Sequence, residues 1–318
     1  MTTRSLRPCK AKNPLTCPHH GAQLRISAAL KSADAAEYLN AKEEATKASL
    51  DTPPISRDVS YEYSGARITI KRKTLVLYQI RAIRDIPSQG VKKGDLGGWV
   101  DPAFLYGFCL RISDDAWVTG DAQVYGGASI SEHVLISGNA KVYGRVRISG
   151  TSKVSGKAQV FGSALVRGNA EVTDNAKVFG DSIIANNARV QDQAQVSGEA
   201  EIYNNSLVSG SAQVLDHVRM IGNSSVTDNA RIFGYARIKE DAQVYGSAQV
   251  YGNASIGGEA QISDAAVIFD DADISGRAQV SGNAQVSGIV RIDGQAWVYG
   301  QARLSGTRIV TGGEKISQ

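Results

Sequence analysis

The sequence has few of the features that mark common protein classes, and each shortage excludes something. Its 318 residues include three cysteines, Cys9, Cys17 and Cys109, which do not make a disulfide framework. It has no apolar run long enough for a membrane span and no signal-peptide core near its start, so we expect a soluble, unexported, cytoplasmic protein without membrane contact. The net charge of +4 divides into +9 for residues 1–94 and −5 for the remainder. Because the basic part is the smaller one, nucleic acid is not indicated.

A six-residue repeat fills most of the chain. Residues 115–318 divide into 34 consecutive hexads without an insertion, and the fourth place of every hexad is Val, Ile, Leu or Met. The second place is Ala, Val or Ser in 32 of the 34. Since side chains alternate across a strand, places two and four face inward and places three and five face outward. Gly, Asn and Asp dominate place six, where they tolerate a bend. Each hexad therefore predicts one short strand and one corner, in coils that stack.

A second period shows how many hexads make one coil. At place five, every third hexad from Tyr125 to Ser305 is aromatic in seven of eleven cases, against three of 23 in the other hexads. This period of 18 residues predicts three hexads to a coil and about eleven coils. It also predicts that the aromatic residues share one outward face.

The repeat resembles that of the hexapeptide-repeat proteins, in which an aliphatic residue is followed four places later by a small one. Val124 with Ala128 and Val160 with Ala164 carry this pattern. The resemblance implies a left-handed parallel β-helix. A right-handed helix of the bacterial bactofilin type is the alternative, because the small turn residue here falls two places after the aliphatic one. The predicted fold class is all-β, a single-stranded parallel β-helix with a small N-terminal β cap and an N-terminal helical appendage.

Three segments are predicted: a prefix with a short helix and a linker (1–56), a cap of strands with a first irregular coil (57–114), and the repeat (115–318). The stretches ARITI and TLVLYQIRAI predict two strands around a basic turn. Together with YQIRAIRDI, the run VKKGDLGGWV resembles the first segment of an uncharacterised bacterial hexapeptide-repeat group that is assigned to the transferases. An open coil end needs a cover, and Trp99, Phe104 and Phe108 are the predicted plug.

The prefix holds a possible metal site. Cys9, Cys17, His19 and His20 lie within twelve residues, and thiolate and imidazole ligands suit zinc. A zinc site made by Cys9, Cys17 and His20 is one interpretation, and a small turn stiffened by proline is the other. The run resembles a short prefix of proteins from actinobacteria and their phages, which suggests a phage or mobile-element origin. No other cofactor is expected.

The aromatic face is the main candidate for function. We define it as seven rings with a neighbouring row of amides and cations, comprising Tyr125, Tyr143, Phe161, Phe179, Phe233, Tyr251, Phe269, Lys141, Lys177 and Arg231. Stacked rings could simply shield the coil. They could also bury themselves against another copy or a protein partner, or they could bind an extended polymer.

An enzymatic function is the remaining alternative. Many hexapeptide-repeat proteins are acyltransferases with a histidine as general base and a loop that shapes the acyl-donor cleft. This repeat has no inserted loop, and His133 and His217 fall on different corners of the predicted coil. We therefore predict a non-enzymatic scaffold or binding protein that forms a homo-oligomer or binds a partner. An acyl-CoA-dependent acyltransferase is the first alternative, and a platform that sequesters a polymer or nucleotide is the second.

Overall fold

The computed structural model describes residues 60–70, 75–101 and 110–318. The chain divides into two units, Met1–Pro53 and Pro54–Gln318, and every described residue belongs to the second. The predicted prefix helix, the zinc ligands Cys9, Cys17 and His20, and the plug residues Phe104 and Phe108 all lie outside the described residues.

The described residues form 38 strands in three sheets, which we name walls A, B and C. Wall A contains β1 (Tyr61–Ile70), β2 (Leu75–Ala82), β3 (Leu96–Val100), β6 (Gln123–Gly126), β9 (Lys141–Gly144), β12 (Gln159–Val160), β15 (Lys177–Val178), β18 (Gln195–Val196), β21 (Gln213–Val214), β24 (Arg231–Ile232), β27 (Gln249–Val250), β30 (Val267–Ile268), β33 (Gln285–Val286) and β36 (Arg303–Leu304). Wall B contains β4 (Arg111–Ile112), β7 (Ser129–Ile130), β10 (Arg147–Ile148), β13 (Leu165–Gly168), β16 (Ile183–Asn186), β19 (Glu201–Ile202), β22 (Arg219–Gly222), β25 (Arg237–Glu240), β28 (Ser255–Ile256), β31 (Asp273–Ile274), β34 (Arg291–Ile292) and β37 (Ile309–Val310). Wall C contains β5 (Trp117–Val118), β8 (Leu135–Ile136), β11 (Lys153–Val154), β14 (Glu171–Val172), β17 (Arg189–Val190), β20 (Leu207–Val208), β23 (Ser225–Val226), β26 (Gln243–Val244), β29 (Gln261–Ile262), β32 (Gln279–Val280), β35 (Trp297–Val298) and β38 (Lys315–Ile316).

Consecutive strands of the repeat belong to different walls, and each strand pairs in parallel with the strand one coil away. On wall A, Gln159 is in register with Lys177, 18 residues further on. On wall B, Arg147 is in register with Leu165, again 18 residues further on. The predicted fold class, an all-β left-handed parallel β-helix with three hexads in each coil, is confirmed.

The core is the column that the two inward places of the hexad fill. The side chains at place four are buried in all 34 hexads, and so are the 32 small residues at place two. The two exceptions at place two, Arg308 and Glu314, pair with each other at 2.9 Å. A repeat that buries an aliphatic and a small residue in every hexad forms one continuous apolar core.

The corners depend on positive φ at place six. Where this residue is not glycine it is Asp, Asn or Glu, with φ close to +60°, as at Asp192 (+59°) and Asp264 (+57°). Stacking is also tight at these points. A Cβ added to Gly180 would lie 2.7 Å from the carbonyl oxygen of Gly198 in the next coil. The bends predicted from Gly, Asn and Asp at place six therefore form as expected.

The first coil is extended by three strands of the cap. Strands β1 and β2 pair antiparallel, as do β2 and β3, and β3 then pairs in parallel with β6 of the first regular coil. Trp99 lies in register with Gln123 and is half-buried, whereas its neighbour Val100 is fully buried. The aromatic side chain that the structure buries at this end is Trp117, with 2% of its surface exposed.

Two glycines allow the cap strand to approach the coil. Gly97 and Gly98 are buried inside β3. A Cβ on Gly97 would lie 2.8 Å from the Trp117 ring and 2.6 Å from Ile80, and one on Gly98 would lie 2.7 Å from Val118. These glycines therefore serve close packing inside a strand.

Candidate functional site: the aromatic face of wall A

The structure brings the seven predicted rings together on wall A. Each ring is the first residue after the strand's inward place-four side chain, and each is half-buried. The rings form two runs, one of four (Tyr125, Tyr143, Phe161, Phe179) and one of three (Phe233, Tyr251, Phe269). Ser197 and Leu215 occupy the same place in the two coils between the runs.

The rings stack face to face along the coil axis. In the first run the centroids of successive rings are 5.0, 5.0 and 4.9 Å apart, with interplanar angles of 2° or less. In the second run the separations are 4.7 and 5.2 Å, with angles up to 11°. These separations are close to the strand spacing, because strand pairing sets the distance between rings. Each stacked pair stabilises the coil by about 0.5–1.5 kcal/mol beyond simple burial.

Stacking decides which part of each ring meets the solvent. Since the ring planes lie one above another along the axis, the faces of the inner rings contact other rings and their edges point outward. A sugar or a nucleic-acid base binds an aromatic platform through the ring face. Within the runs those faces are occupied, so the surface is a row of edges suited to packing against another apolar surface.

The second column of the face is polar and cationic. Lys141 and Arg231 are exposed and Lys177 is half-buried. Between Gln123 and Ser305, neither outward column of wall A contains an acidic residue. Burial, with a smaller contribution from neighbouring Tyr143, raises the pKa of Tyr125 to about 12, and burial also raises the pKa of Tyr143. These two hydroxyls stay neutral near pH 7, so lysine and arginine supply the charge of the face.

Carboxylates at place six line both margins of the face, and each holds the next coil. The backbone N–H of the place-six residue one coil on donates to the side chain, with N–O distances of 2.8 to 3.1 Å. The donor and acceptor pairs are Gly210 and Asp192, Gly234 and Asp216, Gly246 and Asp228, Gly282 and Asp264, and Gly288 and Asp270. The sequence analysis attributed Asp at place six to its tolerance of positive φ alone and missed this bond. The recurrence of Asp at places 18 or 36 residues apart is the signal that could have revealed it.

An amide ladder runs along the corner between walls B and C. The side-chain Nδ2 of Asn169 donates to Oδ1 of Asn187 at 3.2 Å, and the same contact repeats from Asn187 to Asn205 and from Asn205 to Asn223. Asn223 ends the series by donating to Asp241 at 2.7 Å. This ladder joins successive coils on the corner opposite the aromatic face and was not predicted.

The two histidines of the repeat lie on different corners, as the spacing predicts. His133 precedes β8 on wall C, and its Nδ1 is 3.5 Å from Asp115. His217 precedes β22 on wall B, and its Nδ1 is 3.3 Å from Glu199. Within the described part of the chain, no group of three His, Cys, Asp or Glu side chains is arranged to hold a metal ion. The zinc site at Cys9, Cys17 and His20 stays a prediction.

Comparison with known proteins adds no family to this description. No protein-family model matches the chain, and no curated protein is significantly similar to it. Among the described residues, no helix combines the length and the apolar character that crossing a membrane requires. The fold and the geometry of its faces are therefore the basis for inferring function.

Proposed function

We propose that the protein is a non-enzymatic β-helical scaffold that self-associates through the aromatic face. The observation that carries this proposal is the row of seven half-buried rings on one wall, with edges outward and a cationic column beside them. Half-buried aromatic side chains on a flat, regular surface are typical of protein interfaces.

The size of the face matches the need of a stable dimer. Eleven wall A strands from β6 to β36 carry it, which at roughly 4.8 Å per coil gives a length of about 48 Å. With a width of about 15 Å for the two outward columns and their flanks, each copy offers roughly 700 Å². A standard interface buries about 800 Å² on each partner, so one face against another is sufficient.

The charges of the face support a second copy as the partner. Its centre carries Lys141, Lys177 and Arg231, while acidic residues such as Asp192 and Asp270 stand on its two margins. Each marginal carboxylate accepts one backbone N–H and retains capacity for another donor. When two faces cross at an angle, the central cations of one copy reach the margins of the other, and this complementarity fixes the register.

The orientation of the rings favours this function over the two alternatives. Binding of a polymer or nucleotide by stacking needs free ring faces, and only those at the ends of the two runs are free of neighbouring rings. An acyl-CoA-dependent acyltransferase needs a sheltered base, whereas the side chains of His133 and His217 are 54% and 41% exposed. Neither alternative uses the continuous row.

Light scattering of the full chain tests the proposal. We expect the wild type to have the molar mass of a dimer or larger assembly, and Tyr143→Ser combined with Phe161→Ser to shift it towards the monomer with at least about a tenfold weaker association. Serine occupies the same place at Ser197, Ser287 and Ser305, so the fold accepts the change.

Tyr245→Ser is the matched control. Tyr245 is a half-buried tyrosine at the same place of the hexad, but it follows β26 on wall C. Its substitution should leave the molar mass unchanged. A wild-type protein that is monomeric at the highest concentration measured would remove self-association, and equal effects of the two variants would show that the aromatic face is not the interface.

A further inference from the structure

A second polar site lies on the corner between walls A and B. Glu199, Glu201, His217, Arg219, Tyr235 and Arg237 line a cleft of about 240 Å³ there. The cleft is bounded by two columns of outward side chains from three successive coils. The corner column holds Glu199, His217 and Tyr235, and the wall B column holds Glu201, Arg219 and Arg237.

The corner column departs from the chemistry of the repeat at this point. Place one of the hexads is mostly small or polar, and it carries a ring only at His133, His217 and Tyr235. Two of these three lie in successive coils of one corner, each two residues before an arginine. Positions where a repeat abandons its own turn chemistry without a gain for the fold are candidates for function.

The two rings form a stack with one open end. The centroids of His217 and Tyr235 are 4.7 Å apart with an interplanar angle of 5°, and Nδ1 of His217 is 3.3 Å from Glu199. Tyr235 is 58% exposed. On its other side the next coil has Asn253 at the same place, so no third ring covers that face of Tyr235.

The arginines are held side by side on a regular part of wall B. Strands β22 and β25 pair over four residues, with Arg219 in register with Arg237. The Nε of Arg219 is 2.8 Å from Glu201. Among the residues that the structure describes, Arg237 has no carboxylate within ion-pairing distance. Lys239 adds a third cation on β25, and Glu240 beside it accepts a hydrogen bond from the N–H of Gly258.

We propose that this cleft binds a small phosphate ester that carries a planar ring, with the phosphate on Arg219 and Arg237 and the ring on the open face of Tyr235. Two neighbouring guanidinium groups repel each other until an anion bridges them, and arginine matches the planar geometry of phosphate oxygens. Glu199 and Glu201 hold His217 and Arg219 in place from the preceding coil. Neither arginine belongs to the aromatic face, so this site is independent of self-association.

Calorimetric titration of the full chain with phenyl phosphate and methyl phosphate tests the site. We expect saturable binding of phenyl phosphate with a stoichiometry of one per chain and a several-fold preference over methyl phosphate. Arg237→Gln should weaken phenyl phosphate binding by at least about tenfold. Tyr235→Ser should abolish the preference for the ring and leave methyl phosphate binding unchanged.

Arg291→Gln is the control. Arg291 occupies the same outward place on wall B, three coils further on, and is in register with Asp273. It should bind phenyl phosphate as the wild type does. Absence of saturable binding to the wild type, an equal loss in Arg291→Gln and Arg237→Gln, or equal affinity of the wild type for both esters would overturn the proposal.

Discussion

Walls A and C carry different side chains at the same place of the same repeat. From Tyr125 to Ser305, place five of wall A is aromatic in seven of eleven hexads, whereas from Thr119 to Ser317 nine of the twelve residues at place five of wall C are Ser or Thr. Both walls have the same parallel pairing with a step of 18 residues. The backbone therefore accepts a ring or a hydroxyl at this corner, and the fold alone does not require the rings.

The largest expected effect concerns what the two walls share. Ile232 on wall A and Val226 on wall C are both fully buried at place four. Ile232→Asp and Val226→Asp should each lower the free energy of unfolding by about 4 kcal/mol or more, because a carboxylate without a partner enters the apolar core. The thermal midpoint from circular dichroism measures this.

The outward substitution Phe233→Ser is the comparison for that experiment, since residue 233 is adjacent to Ile232 and half-buried. It should cost much less than Ile232→Asp. Tolerance of Asp on one wall with collapse on the other would contradict a single core that all three walls share.

A smaller effect separates the inside of a ring run from its end. Phe161 stacks on both Tyr143 and Phe179, whereas Phe269 stacks only on Tyr251. Phe161→Ser removes two stacked contacts and Phe269→Ser removes one, so the stacking losses should be about 1–3 and 0.5–1.5 kcal/mol. Thermal melting at a concentration where both variants are monomeric isolates this difference from association. Equal losses would mean that burial, not stacking, stabilises the rings.

The hexad spacing was enough to predict the coil and the common wall of the rings. The inward places, the 18-residue register and the different corners of His133 and His217 all follow from counting residues, because strand pairing in a solenoid repeats without a shift. The period does not show which side chains touch across coils. The bond from the N–H of Gly282 to Asp264 depends on the distance between stacked corners, which spacing alone does not give.

The cap was harder to predict because it does not follow the hexad. Trp99 was the expected plug, yet Trp117 is the buried ring, although it stands at an outward place of its hexad. Strand β3 reaches Trp117 through Gly97, whose missing side chain leaves room for the indole. An inward or outward assignment by period fails where a non-repetitive strand covers the coil.

The smallest expected effect comes from adding a ring where the first run stops. Ser197 on wall A and Ser209 on wall C are both at place five and are 9% and 8% exposed. Ser197→Phe places a ring one coil after Phe179 and should gain about 0.5–1.5 kcal/mol from one new stacked pair. Ser209→Phe gains no such pair, because Gln191 and Thr227 are its neighbours in the same row.

Melting temperature and molar mass of these two variants sharpen the comparison of the walls. If the rings stabilise the coil by stacking and also form the interface, only Ser197→Phe should raise the melting temperature and strengthen self-association. A gain in stability without a gain in association would make the row on wall A a device of the coil alone. An equal response to both substitutions would mean that burial of any large side chain at place five suffices, and the distinction between the two walls would then lie in their polarity.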